Sequence, residues 1–304
     1  MTHVQTEIAS QPECWRKAAE LAGSPGLPAD GERVAVVGCG TSWFIGQAYA
    51  VLREQAGRGE TDAFQASEFP LGRAYDRVVA ITRSGSTTEV LDLLGRLTVP
   101  TTVLTADPSQ PAAGMATDAV VLDFADEQSV VQTRFATSAL ATLRAHLGHD
   151  IGAIACDAEV AVRLPLPVRD DVEQITFLGR GWTVGLAAEA ALKCREAAML
   201  WAEAYPAMDY RHGPISIAAP GRVVWAFGEV PAHLADHVEA AGAAFVHARH
   251  HGGFASLGRW SGGRTPIDPM ADLIVAQRFA IQMAVRRGLD PDHPRNLTRS
   301  VVLA

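Results

Sequence analysis

From residue 34 onward, short β-branched apolar runs alternate with longer stretches whose apolar residues recur at helical spacing. Runs at 34–37, 77–82, 101–105 and 119–123 read as strands, and stretches at 42–56, 87–96 and 127–147 read as helices. Strict alternation of this kind predicts a doubly wound parallel α/β sheet. A second alternating series follows, with strands at 175–178, 222–228 and 243–247 and helices from about Gly185 to Glu203 and over 270–287. The boundary between the two series is expected in Gly148–Gly152 and the proline-containing Leu164–Pro167. An amphipathic helix over Ile8–Leu21 precedes the core as an arm. The organisation expected is an arm (1–30), a first unit (31–155), a second unit (170–288) and a polar tail (289–304). The tail is too rich in turns for a helix, and either folds back across a ligand or frays.

The ends of two strands carry most of the candidate chemistry. The run Val78–Ile81 opens into Thr82-Arg83-Ser84-Gly85-Ser86-Thr87, four hydroxyls and a glycine in six residues. Val34–Val37 opens into Gly38-Cys39-Gly40-Thr41-Ser42. A strand that delivers hydroxyls and glycines to a helix start can wrap a phosphate ester, because unpaired amides and the helix dipole favour an anion there. The plainer alternative is a hydroxyl-rich turn that caps a helix. The glycine spacing fits neither a dinucleotide fingerprint nor a P-loop, and the chain has only two lysines, Lys17 and Lys193.

Composition narrows the classes. A chain of 304 residues with 48% hydrophobic content can bury a large core, and a net charge of -8 without basic tracts argues against nucleic acid. Cys14, Cys39, Cys156 and Cys194 are widely spaced, which suggests neither a disulfide framework nor zinc. With no signal-peptide pattern and no membrane-length apolar run, a cytoplasmic protein is expected.

Further candidates lie in the second half. Glu189, Lys193 and Glu196 share a helix face, in surroundings too apolar for an ordinary solvated salt-bridge row, although such a row remains the simple alternative. His212 stands against the turn Gly213-Pro214 and is either a proton-transfer group or an ordinary loop histidine. Asp126–Arg134 starts a helix with acidic and polar groups, which the helix dipole alone would account for.

Taken together, the chain resembles the sugar isomerase (SIS) domain family, and most closely the isomerase half of glucosamine-6-phosphate synthase. The matching segments are Glu7–Pro12, Gly38–Ser42, Thr82–Thr87, Glu127–Thr137, Phe177–Gly181, Ala188–Pro214 and Asp290–Val302. The resemblance implies two tandem flavodoxin-like subdomains, a homodimer with shared active sites, a hexose 6-phosphate ligand, and no cofactor or metal. It implies phosphate contacts at Ser42, Thr82, Arg83, Ser84 and Thr87, with Cys39, Gly40 and Thr41 lining the same loop. Sugar contacts fall at Glu127, Val130, Gln132 and Arg299. Glu196 becomes the base that moves a proton between C1 and C2, Lys193 its charged neighbour, and His212 a ring-opening group reaching in from the partner subunit.

Three departures shape the expected function. The chain begins Met1-Thr2-His3 without the family synthase's glutaminase, so glutamine is not expected as an unaided nitrogen source. Arg299 stands where the synthase has an imine-forming lysine, and an arginine does not form that imine. Arg83 replaces a glutamine and is expected to tighten the phosphate grip. The expected activity is isomerisation and deamination of an amino sugar phosphate. The rivals are plain aldose–ketose isomerisation, fructosamine-phosphate deglycation, and a sugar-phosphate sensor without turnover.

Overall fold

A computed structural model describes residues 2–166, 172–247 and 267–303. The first sheet contains β1 (Val34–Gly38), β2 (Thr61–Gln65), β3 (Arg77–Ile81), β4 (Thr101–Thr105) and β5 (Asp118–Val121), all parallel, in the order β2-β1-β3-β4-β5. This is the flavodoxin-like order, in which the winding reverses between β1 and β3 and opens a crevice at their carboxyl ends. Every residue of β1 and β4 is buried, as strands covered on both faces require. The second sheet, built from β6 (Gln174–Gly179), β7 (Trp201–Pro206), β8 (Arg222–Ala226) and β9 (Ala244–His247), repeats the pattern as β7-β6-β8-β9. The two-sheet α/β architecture expected from sequence is therefore present. The Pro167 end of the expected boundary lies outside the described residues.

Helices fill the spaces between and around the sheets. The arm holds α1 (His3–Ala9) and α2 (Gln11–Glu20), broken at Ser10 rather than continuous over Ile8–Leu21, with Pro12 in the opening turn of α2. In the first unit, α3 (Thr41–Gln55), α4 (Thr88–Leu94), α5 (Pro111–Met115) and α6 (Arg134–His146) follow their strands, and α7 (Ile151–Ala161) comes next. The second unit carries α8 (Thr183–Ala198), α9 (Leu234–Ala240) and α10 (Pro269–Arg286). One apolar cluster spans both units and takes in Trp15, Phe135, Phe177, Trp225 and Phe279. α8 packs on α3, α10 and β7. At the α3–α8 crossing a Cβ on Gly185 would stand 2.4 Å from the Phe44 carbonyl oxygen, so only glycine permits this approach.

Two expected helices are shorter in the structure. The helix expected over 127–147 begins at Arg134, because the Glu127 carboxylate accepts hydrogen bonds from the Thr133 and Arg134 amides and leaves 127–133 irregular. The helix expected to run to Glu203 ends at Ala198, where Met199 turns left-handed (φ 50°) and its amide and that of Leu200 return to the carbonyls of Arg195 and Cys194. The chain then enters β7, whose pairing with β6 overrides local helix propensity. Gly148–Gly152, expected as linker, leads into α7, with the Asp150 carboxylate accepting from the Ala153 amide at 3.0 Å.

Candidate active site at the first-sheet crevice

The loops after β1 and β3 meet at the crevice and line a cavity of about 200 Å³. Cys39, Gly40, Thr41 and Ser42 form one wall, and Thr82, Arg83, Ser84 and Thr87 another. Gly85 makes the second loop possible. Its φ is 64°, and a Cβ there would sit 2.7 Å from Gln110 Cβ. The Thr82 hydroxyl is buried and has no partner among the described residues. A buried hydroxyl without a partner costs free energy that a bound acceptor recovers. Burial pushes the Cys39 thiol up to about 11, so it remains a neutral wall group and not a nucleophile. The corresponding loop of the second unit is closed on itself: the Thr183 hydroxyl accepts from the Arg180 amide at 2.8 Å and lies 3.1 Å from the Phe227 carbonyl.

Val130 and Gln132 reach the cavity from the irregular loop before α6. The Gln132 side-chain oxygen is buried without a partner among the described residues, a second open position facing the same space. Glu127 lies behind the wall and not in it. Its Oε1 takes the Thr133 amide at 2.6 Å and the Arg134 amide at 2.7 Å, and its Oε2 lies 3.3 Å from Arg83 Nη1. Burial pushes the Glu127 carboxyl up against the pull of Arg83.

Arg83 is tied differently from the sequence expectation. Nη1 reaches Glu127 and the carbonyls of Ser129 and Val130, and Nη2 donates to the Arg299 carbonyl at 2.9 Å. The guanidinium fork thus binds the sugar-facing loop to the tail, and among the described residues its Nε has no partner. The tail folds over the crevice. Ser300 Oγ accepts from Ser84 and Ser86, each at 3.1 Å, and the Val301 carbonyl takes the Thr88 amide that opens α4. Arg299 lines the cavity, while its guanidinium bonds the Glu127 carbonyl and the Asp126 carboxylate. Ser300 was not singled out in the sequence. Its only signal is a hydroxyl beside Arg299 in a tail otherwise read as frayed or folded.

The far side of the cavity is supplied by α8. Glu196 lines it, and its Oε2 lies 2.6 Å from Lys193 Nζ. The ammonium also donates to Thr41 Oγ1 at 3.0 Å and stands 3.5 Å from Glu189 Oε1. Lys193 and Glu189 are fully enclosed, whereas the Glu196 side chain keeps about 20% of its surface exposed. Burial pushes the Glu189 carboxyl up to about 7 even beside Lys193. Burial opposes the Lys193 charge, but Glu189 and Glu196 outweigh it and hold the ammonium above its ordinary range. Glu189 shares the helix face read from the i, i+4 spacing and stands behind Lys193; neither of these two side chains lines the cavity. His212 does not line the cavity. It lies exposed in the 3₁₀ turn Asp209–His212. Beside Glu196 opens a wider depression of about 570 Å³ with Met199, Trp201, Arg295 and Leu297 on its walls.

No family model matches the chain. Among curated proteins, it is 28% identical over 92% of its length to a glutamine–fructose-6-phosphate aminotransferase (isomerizing) from Gloeobacter violaceus. It is 30% identical over 88% of its length to the enzyme of the same name from Halobacterium salinarum. The chain spans about half the length of these relatives, 53% and 51% respectively. Among solved structures, a glucosamine-6-phosphate deaminase from Thermotoga maritima superposes with a TM-score of 0.80 at 24% identity, covering 99% of this chain and 100% of that one. The C-terminal domain of a glucosamine–fructose-6-phosphate aminotransferase from Francisella tularensis gives 0.80 at 20% identity, over 96% and 98% of the two chains. The relatives match most of the chain's length, the solved structures share its tandem parallel sheets, and both likenesses accord with the resemblance to the sugar isomerase (SIS) domain family.

Proposed function

We propose that the protein isomerises and deaminates a hexosamine 6-phosphate. The observation that carries this reading is one cavity bounded by a hydroxyl cradle with an unpaired Thr82 hydroxyl on one side and a lysine-held Glu196 on the other. Ser42, Thr82, Ser84 and Thr87 hold the phosphate, and Gln132 meets a sugar hydroxyl. Glu196 removes the C2 proton of the open-chain amino aldose and the C1–C2 enolamine forms. The same carboxyl returns a proton to C1, which leaves a C2 imine, and water hydrolyses that imine to the ketose phosphate and ammonia. Lys193 steadies the developing charge.

His212 acts in ring opening from a second copy of the chain. The exposed apolar side chains Met199, Trp201 and Leu297 beside Glu196 favour such a docking, at 55%, 71% and 42% exposure. Release of ammonia and ketose phosphate from a panel of amino sugar phosphates tests the activity, and silence across the panel overturns it.

A second reading is plain aldose–ketose isomerisation. Arg299 favours it, because an arginine forms no imine with a ketose and the same Glu196 proton shuttle suffices. Activity on unsubstituted hexose 6-phosphates without ammonia release would select it. A sensor would bind such ligands and exchange no deuterium at C1 or C2.

A further inference from the structure

We propose that Glu7, in the amino-terminal arm, is the positioning residue of the sugar-facing loop. This rests on the phosphosugar reading of the cavity. Glu7 belongs to α1, far from the crevice in sequence, yet its side chain is enclosed, with 3% of the residue exposed. Its Oε1 accepts from the Gln128 amide at 2.6 Å and the Ser129 amide at 3.2 Å, and its Oε2 accepts from the Ser129 hydroxyl. The Ser129 hydroxyl also lies 2.9 Å from the Val131 carbonyl. These bonds hold residues 128–131, the stretch that carries Val130 and leads into Gln132, the two groups that face the ligand.

Two carboxylates therefore shape one loop. Glu127 fixes its exit at Thr133 and Arg134, and Glu7 fixes its middle. The loop has no strand or helix pairing to supply partners for its amides, so side chains and the tail backbone do it. The tail secures the same arrangement. The Asp292 carboxylate takes the His3 and Val4 amides at the start of α1, both at 2.8 Å, and the Asp292 carbonyl takes the Val130 amide. Arm, loop and tail form one unit around the sugar end of the cavity. Of the cradle loops, only Arg83 touches this stretch, through the Ser129 and Val130 carbonyls; the hydroxyls of Ser42, Thr82, Ser84 and Thr87 make no bond to Glu7 or to residues 128–131 among the described residues.

The phosphate-facing hydroxyls and the sugar wall are thus separable. Glu7→Ala is expected to weaken fructose 6-phosphate binding about tenfold while inorganic phosphate binding changes by less than about twofold. Glu7→Gln is expected to restore wild-type binding. Its carbonyl oxygen can accept both amides, and its amide can donate to the Ser129 oxygen, whose proton then points to Val131. Calorimetric titration of the full chain reads both ligands. Amide hydrogen exchange is expected to quicken at Gln128 and Ser129 in Glu7→Ala, with β3 unchanged.

Parallel loss of both ligands, wild-type behaviour of Glu7→Ala, or failure of Glu7→Gln to restore binding would each overturn the proposal. If Glu7→Ala does not fold, Ser129→Ala is expected to show a smaller loss of the same selective kind, and its absence overturns the proposal equally. If the wild-type protein binds no hexose phosphate, the functional reading fails by itself. Exchange at Gln128 and Ser129 then decides the role of Glu7 alone.

Discussion

Lys193 Nζ lies 2.6 Å from Glu196 Oε2 and 3.5 Å from Glu189 Oε1, so one buried ammonium serves two carboxylates on one helix face. Removing it leaves two acidic groups without a counter-charge in a closed space. Lys193→Ala is expected to cut proton exchange at C1 and C2 of a bound sugar phosphate by at least about a hundredfold. Glu196→Gln is expected to abolish the exchange and leave sugar-phosphate affinity within a few-fold of wild type. Deuterium incorporation followed by NMR, alongside calorimetry, separates the two effects.

The position of Glu189 makes this pair sensitive to pH. Below about 7 the buried carboxyl is neutral and Lys193 engages Glu196 alone. Above that, the Glu189 carboxylate draws on the same ammonium and loosens its hold on Glu196. The exchange rate is expected to rise with an inflection near pH 7, and Glu189→Gln, which cannot ionise, is expected to flatten that limb. A rate profile from pH 5.5 to 8.5 on both proteins checks this.

In the phosphate cradle, Thr82→Val keeps shape and removes the unpaired hydroxyl. The loss of one hydroxyl hydrogen bond to a charged phosphate oxygen is expected to cost about 1.5 kcal/mol, or roughly tenfold in affinity, for inorganic phosphate and hexose 6-phosphates alike. Equal losses across ligands in a calorimetric series would distinguish it from the sugar-wall variants.

Asp272, in the interior of α10, is a separate source of pH dependence. Its carboxyl is 1% exposed, pushed up to about 7 by burial, and bonded only to the Trp225 indole at 3.4 Å among the described residues. A carboxyl whose folded pKa lies above its unfolded one favours the fold while protonated. That stability is complete below the ordinary aspartate range near 3.8 and is lost as pH rises through about 7. The melting temperature is expected to fall by several degrees between pH 5.5 and 8 in wild type, and to fall clearly less in Asp272→Asn, where the raised Glu189 carboxyl still titrates.

The tail makes a further prediction through Arg83. Replacing its guanidinium with a neutral amide in Arg83→Gln removes the bond to the Arg299 carbonyl and the counter-charge for Glu127. Faster amide exchange at Leu303, and earlier proteolysis of the tail, are expected, with the Thr88 amide losing protection in step because it donates to the Val301 carbonyl while its hydroxyl accepts from Leu303.

What could be read from the chain alone follows physical range. The alternation of β-branched runs with amphipathic stretches set out the parallel sheets, because strand burial is written in local composition. The two hydroxyl loops were legible because they follow those runs directly. Glu189, Lys193 and Glu196 were legible because helical spacing places them on one face. The helix ends at 127 and 203 were misjudged because a buried glutamate that turns on the Thr133 and Arg134 amides and an edge-strand pairing with β6 override propensity. Likewise, nothing near Arg83 announces that its fork closes on the Arg299 carbonyl, 216 positions away. Ser300 and Glu7 were missed as contributors because their partners lie at the other end of the molecule.

The bare backbone at Gly185 has a consequence of its own. It lets α8 touch α3, so the span between the hydroxyl loop that begins α3 and the carboxylate on α8 is set by rigid helices in contact. The two helices work as a caliper, gauging how many carbons separate a ligand's anchored end from its reacting end. A bulkier residue at that point would open the jaws and shift preference toward longer molecules without altering the reactive groups.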